Sequence, residues 1–92
     1  MSADPAKRPR LAPGCRLNDS AQPSRVLLMP ERALRLNGPS LQIIERCDGV
    51  HTIAEIIADL QKIYSQADPA RVEADILDYL ARLNQQGALD FE

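Results

Sequence analysis

Tryptophan is missing from this chain of 92 residues, phenylalanine occurs once, tyrosine twice and histidine once. So thin an aromatic content argues against the stacking platforms that hold single-stranded nucleic acids. One histidine leaves the serines and cysteines without a plausible base and orienter. There is no glycine-rich phosphate loop, and no pair of carboxylates lies away from the solvent faces of predicted helices, so catalysis by this chain alone is not expected. No apolar run approaches the roughly 20 residues of a membrane-spanning helix, so no membrane association is expected. Cysteine is scarce as well: Cys15 and Cys47 stand alone, and the N-terminus lacks the apolar core of a signal peptide, which together predict free thiols in the cytoplasm. Cys47 and His51 lie across a glycine turn with one further thiol in the chain, too few ligands for structural zinc. Neither metal nor cofactor is expected.

What is present is 45% hydrophobic residues with no internal repeat, enough for one small domain with a modest core. Residues 1–9, with two prolines and no apolar period, read as a disordered arm, and 10–92 as the domain. The net charge of −2 conceals a division. Residues 1–38 carry seven basic and three acidic side chains, a net of +4, while 39–92 carry four basic and ten acidic, a net of −6. Partners meet an electrically two-sided molecule.

Residues 10–18, broken by Pro13 and Gly14, have room for one short strand near Cys15 to Leu17. RVLLM at 25–29 suits a central strand closed by Pro30. After Pro30-Glu31-Arg32, the segment ALRLN alternates, with Leu34 and Leu36 on one pleat face and Ala33, Arg35 and Asn37 on the other, which predicts a hairpin partner. Asn37-Gly38-Pro39-Ser40 starts a helix reaching Cys47, and Asp48-Gly49 stops it. Thr52 and Glu55 form a T-x-x-E capping box, behind which Ile53, Ile56, Ile57, Leu60, Ile63 and Tyr64 make one helical stripe. Asp68-Pro69 opens a last helix that runs to about Gln86 and is stopped by Gly87. Val72, Ile76, Leu80 and Leu83 form its core stripe, and Asp75, Tyr79 and Arg82 a second stripe beside it. The prediction is an α+β, winged-helix-like domain: a short N-terminal antiparallel sheet of two to three strands followed by three helices.

A winged helix invites a DNA-binding reading. The helix over 52–64 offers Glu55, Asp59 and Lys62, and the last helix Arg71, Glu73, Asp75, Asp78 and Arg82, each a net of −1. Both have the wrong sign for a polyanion, so nucleic acid is not the expected partner, and a DNA-binding regulator rests only on the basic N-terminal half. The hairpin offers another use. If residues 33–37 form an edge strand, their outward main-chain groups can pair with an extended peptide, with Arg32 and Arg35 meeting acidic residues and a groove against the last helix holding apolar ones. A protected edge whose arginines discourage aggregation has the same pattern.

Leu28-Met29-Pro30-Glu31, Leu36-Asn37, Ile44-Glu45-Arg46-Cys47-Asp48-Gly49, Thr52-Ile53-Ala54-Glu55-Ile56-Ile57, Glu73-Ala74-Asp75-Ile76 and Gly87-Ala88-Leu89, in this order, resemble the PqqD family of pyrroloquinoline quinone (PQQ) biosynthesis. The resemblance spans roughly Pro9 to Leu89. It implies a peptide chaperone, a RiPP recognition element that binds the ribosomally made PQQ precursor peptide. The peptide is held as an added strand and presented to a radical S-adenosylmethionine (SAM) enzyme, which carries the iron-sulfur chemistry. The implied binding region comprises Arg32, Ala33, Leu34, Arg35, Leu36 and Asn37 on the strand, with Val72, Asp75, Ile76, Tyr79, Arg82 and Leu83 on the helix. Where the family commonly has Pro-Glu-Gly at the hairpin turn this chain has Pro30-Glu31-Arg32, which bears on the register of the edge strand. The segment around Gly38 is a candidate hinge for exchanging elements between copies in a homodimer.

Overall fold

A computed structural model describes residues 5–17, 26–30, 33–36 and 38–92. Along the chain lie β1 (Pro9–Leu11), β2 (Arg16–Leu17), β3 (Val26–Leu28), β4 (Ala33–Arg35), α1 (Gly38–Glu45), α2 (Ile53–Ile63), α3 (Pro69–Gln85) and β5 (Leu89–Phe91). This is the α+β arrangement predicted, with one sheet more. Strands β2, β3 and β4 form an antiparallel sheet in that order, with Leu27 opposite Leu34 and Leu28 opposite Ala33. Leu34 and Leu36 turn inward, while Ala33 and Arg35 are exposed, as the alternation requires. Arg32 and Asn37 lie outside the described residues.

The second sheet pairs β1 with β5, Pro9 opposite Phe91 and Leu11 opposite Leu89. Each strand is three residues long and its partner is almost the whole chain away, so no local period announces it. The arm expected over residues 1–9 is ordered in its described part. Arg8 and Glu92 exchange main-chain hydrogen bonds at 2.7 and 3.0 Å, the Lys7 carbonyl accepts from Ile53 N–H at 2.9 Å, and the Pro5 carbonyl accepts from Ala54 N–H at 3.1 Å. Those two amides belong to the first turn of α2, which has no intrahelical partner for them. The N-terminal segment is thus part of the cap of a helix more than 40 residues away.

The remaining caps follow local chemistry. Thr52 Oγ1 accepts from Glu55 N–H at 3.1 Å and Glu55 Oε1 accepts from Thr52 N–H at 2.7 Å, completing the capping box. Asp68 caps α3 through Ala70 N–H, with Pro69 in the first turn. At the far end Gly87, with φ of 77°, lets Ala88 N–H reach the Leu83 carbonyl at 2.9 Å and its own N–H the Asn84 carbonyl at 3.0 Å. This pair of bonds, the Schellman arrangement, reverses the chain and delivers it into β5.

The core lies between the helices and the two sheets. Leu27, Ile53, Ile56, Leu80 and Leu89 are wholly inaccessible, and the predicted stripe of α3, Val72, Ile76, Leu80 and Leu83, is buried along its length. Helix α1 is tied to α2 by Arg46, whose guanidinium donates to Asp59 Oδ2 at 3.3 Å and to the Gln42 carbonyl at 2.9 Å.

Candidate functional site

Strand β4 is the outer strand of its sheet, and among the described residues no strand lies on its other side. Its unpaired edge is followed after Leu36 by α1, whose first turn faces α3 across a furrow. Two adjoining hollows make up the furrow. One, of about 240 Å³, is lined by Pro39, Ser40 and Ile43 from α1 and by Asp75, Asp78, Tyr79 and Arg82 from α3. The other, of about 210 Å³, shares Pro39, Ile43 and Asp75 and runs on to Val72, Ile76 and the α2–α3 turn.

Helix periodicity explains which α3 residues face it. Asp75, Tyr79 and Arg82 stand one above another beside the buried stripe, as predicted. Tyr79 is half-buried and its hydroxyl hydrogen bonds to Ser40, linking the walls; burial raises its pKa, and the Ser40 bond pulls the other way. Arg82 is held by Asp78, donating through Nε at 3.1 Å and through Nη2, and those bonds raise the guanidinium pKa further. Arg71 Nε lies 3.8 Å from Asp75. The acidic side chains of this wall are therefore partly matched by arginines of their own helix.

Of the residues named from the sequence, Val72, Asp75, Ile76, Tyr79 and Arg82 line the furrow, while Ala33, Leu34 and Arg35 lie on β4 and line neither hollow. Leu36 and Leu83 are 8% and 2% exposed, core residues that support the site from beneath. Pro39, Ser40, Ile43 and Asp78 are additions from the structure. Asp78 was visible as the i,i+4 partner of Arg82. The α1 residues carry no such signal, because spacing within one helix does not show which other helix lies opposite it.

The turn between α1 and α2 is a structural hub. The Asp48 carboxylate accepts from Val50 N–H at 2.8 Å and His51 N–H at 3.0 Å, and lies 2.8 Å from His51 Nδ1. Slight burial opposes ionisation, but those bonds outweigh it and lower the carboxyl pKa to about 2. Beside it Gly49, at φ of 78°, donates to the Pro9 carbonyl at 3.0 Å, and a Cβ there would approach Arg10 Cδ to 3.3 Å. Cys47 is buried, its thiol donates to the Ile43 carbonyl at 3.2 Å, and burial followed by the nearby Asp48 charge pushes its pKa up to about 12. A thiol so placed is a packing group. Among the described residues no cluster of three or more histidine, cysteine or acidic side chains is placed to hold a metal ion.

A small winged-helix-like domain with an open strand edge beside a helix furrow belongs to the class of recognition modules. The family model for coenzyme PQQ synthesis protein D (PqqD) matches residues 24–89. The bifunctional coenzyme PQQ synthesis protein C/D of Methylorubrum extorquens is 41% identical over 83 residues, which are 89% of this chain and 22% of that protein. The PqqA binding protein of Xanthomonas axonopodis pv. citri is 37% identical over 83 residues, covering 89% of each chain. The solution NMR structure of the PqqD truncation of Methylobacterium extorquens PqqCD, described as a functional stand-alone RiPP recognition element, superposes with a TM-score of 0.69 at 41% identity. That match covers 89% of this chain and 87% of the other. The chain belongs to the PqqD family.

Proposed function

We propose that this protein is a peptide chaperone of PQQ biosynthesis that binds the PqqA-type precursor peptide by adding it as a strand to the edge of β4 and presents it to a radical SAM enzyme. The observation that carries the reading is the outer edge of β4, unpaired among the described residues, in a chain whose relatives are named PqqA binding proteins and whose helices α1 and α3 wall a furrow. Main-chain pairing supplies affinity that is indifferent to sequence, at a net of about 0.5–1.5 kcal/mol per hydrogen bond. Side chains along the furrow supply selectivity. In this scheme Arg35, exposed on β4, meets acidic residues of the peptide, and the α3 wall meets the residues that follow. The protein is a non-catalytic adaptor in this scheme, and the cross-linking of glutamate to tyrosine belongs to its partner.

A DNA-binding regulator is not favoured. The exposed side chains of α3 include Glu73, Asp75 and Asp78, and both of its arginines lie beside aspartates of the same helix.

Hydrogen exchange on the full chain, with and without the precursor peptide, tests the proposal. The amides of Ala33–Arg35 are expected to gain protection. A peptide that binds by calorimetry while leaving these amides unprotected would rule strand addition out.

A further inference from the structure

Strands β2, β3 and β4 have a second face. Leu27 is wholly inaccessible, and Leu17 and Leu34, opposite it on either side, pack against the core with it. Pleating sends the alternate positions the other way. Arg16 stands opposite Leu28, Leu28 opposite Ala33, and Val26 opposite Arg35, so these five side chains share the face turned from the core. Val26 and Leu28 are half-buried and take no part in the core cluster.

Charge on this face is of one sign. The three strands contain no acidic residue. Arg8 donates to the Val50 carbonyl, and Arg10, Arg46, Arg71 and Arg82 lie beside Glu92, Asp59, Asp75 and Asp78 respectively. Among the described residues, Arg16 and Arg35 are the arginines whose side chains have no such partner. They are set diagonally across the sheet, two strands and one pleat repeat apart, which is about 12 Å between α-carbons. Between them runs the aliphatic ridge of Val26 and Leu28. The β1–β5 sheet is the contrast, because there Arg10 stands opposite Asp90 and pairs with Glu92.

An aliphatic centre rimmed by arginines without internal partners is the pattern of a protein-binding face. The apolar ridge excludes water, and each free guanidinium has its donors available for carboxylates of another chain. A nucleic acid would set phosphates against Val26 and Leu28 and find no aromatic ring on these strands to stack on. The precursor peptide, as read above, lies beyond β4, and Arg16 is two strands from that edge. A folded partner seated on the face would have β4, and any strand added to β4, along its margin. Presentation of a peptide needs that adjacency.

Resting on the reading of this protein as a presenter of precursor peptide, we propose that the outer face of the β2–β3–β4 sheet docks an acidic surface patch of the radical SAM enzyme. Arg16 and Arg35 meet carboxylates at the rim of that patch, and Val26 and Leu28 meet its apolar centre.

The test measures the affinity of the full chain for the purified radical SAM enzyme and, separately, for the precursor peptide, both by calorimetry. Arg16→Glu is expected to weaken enzyme binding about tenfold or more while peptide affinity stays within about twofold, which also shows that the variant is folded. Arg16→Gln is expected to give a smaller loss in the same direction. Lys62→Glu, the same reversal of charge on an exposed position of α2, is expected to leave both affinities unchanged. Raising salt from about 50 to about 300 mM is expected to weaken the native enzyme complex more than the Arg16→Glu complex. Enzyme binding that is unaltered in both Arg16 variants overturns the proposal. An equal loss in Lys62→Glu overturns it as well, since net charge and not this face would then be responsible. A matching loss of peptide affinity in Arg16→Glu or Arg16→Gln overturns it by assigning the face to the peptide. An unaltered protein that binds the peptide but not the enzyme, with or without peptide present, would instead remove the presentation reading on which the proposal rests.

Discussion

Asp48 shows how much one side chain can organise. It follows a buried cysteine and precedes a left-handed glycine, and its carboxylate gathers two main-chain amides and the imidazole of His51. Because its pKa in the folded protein, about 2, lies below the unfolded value near 3.9, the unfolded chain binds the proton more tightly in the interval between them. Stability therefore rises with pH through that interval, is fully present above about pH 5, and is lost as pH falls toward 2. The side chain is 39% exposed, so solvent screening limits the contribution to at most about 1 kcal/mol. Urea midpoints of Asp48→Ala measured from pH 7 to pH 3 are expected to sit below those of the native protein at pH 7 and to converge with them in acid. A gap that persists unchanged to pH 3 would show that ionisation of Asp48 is not its source. The break at Asp48-Gly49 was legible as a helix stop. The carboxylate's role as acceptor for three groups depends on how the turn closes and was not.

At the scale of elements, α2 illustrates two kinds of cap. Thr52 and Glu55 were readable from spacing because a capping box is made within four residues. The other half of the cap is remote: Lys7 and Pro5 supply carbonyls to the first-turn amides of Ile53 and Ala54. A prolinerich polar stretch without an apolar period looks like a loose arm, since main-chain hydrogen bonding leaves no trace in side-chain type. Deletion of residues 1–7 removes both carbonyls and is expected to destabilise the fold by about 2 kcal/mol, the net worth of two helix-start hydrogen bonds, and to accelerate exchange at Ile53 and Ala54. An unchanged denaturation midpoint would mean that water caps the helix equally well. The α3–β5 connection has a similar balance. Gly87 marked the helix end, yet only the bonds of Ala88 and Gly87 back to α3 show why the chain then turns to lie beside β1.

For the whole molecule, stability rests on a small core in which α3 is central: Ile76, Leu80 and Leu83 are 1%, 0% and 2% exposed. Leu80→Ala leaves a cavity that neighbours on α3 can fill only in part, and a loss of about 2–5 kcal/mol is expected in chemical denaturation. For a domain of this size that is a large share of the total. A loss below about 1 kcal/mol would mean that the core collapses around the gap. Such a variant should still show the native pattern of peptide protection at β4 when folded, because Leu80 lines neither hollow of the furrow.

The three helices, the β3–β4 pair and the stripe of Asp75, Tyr79 and Arg82 were legible in the sequence alone, because each rests on interactions a few residues apart or on the burial of a periodic face. Family membership was legible there too, through motifs whose order and spacing survive in one dimension. Tertiary structure decided what stands opposite that stripe. Pro39, Ser40 and Ile43 form the facing wall only because α1 packs across the α2–α3 pair. The β1–β5 sheet and the cap that the N-terminal segment places on α2 are likewise products of closure. Main-chain hydrogen bonds between segments so distant along the chain are nearly blind to side-chain identity, so the chain must fold before they can be read.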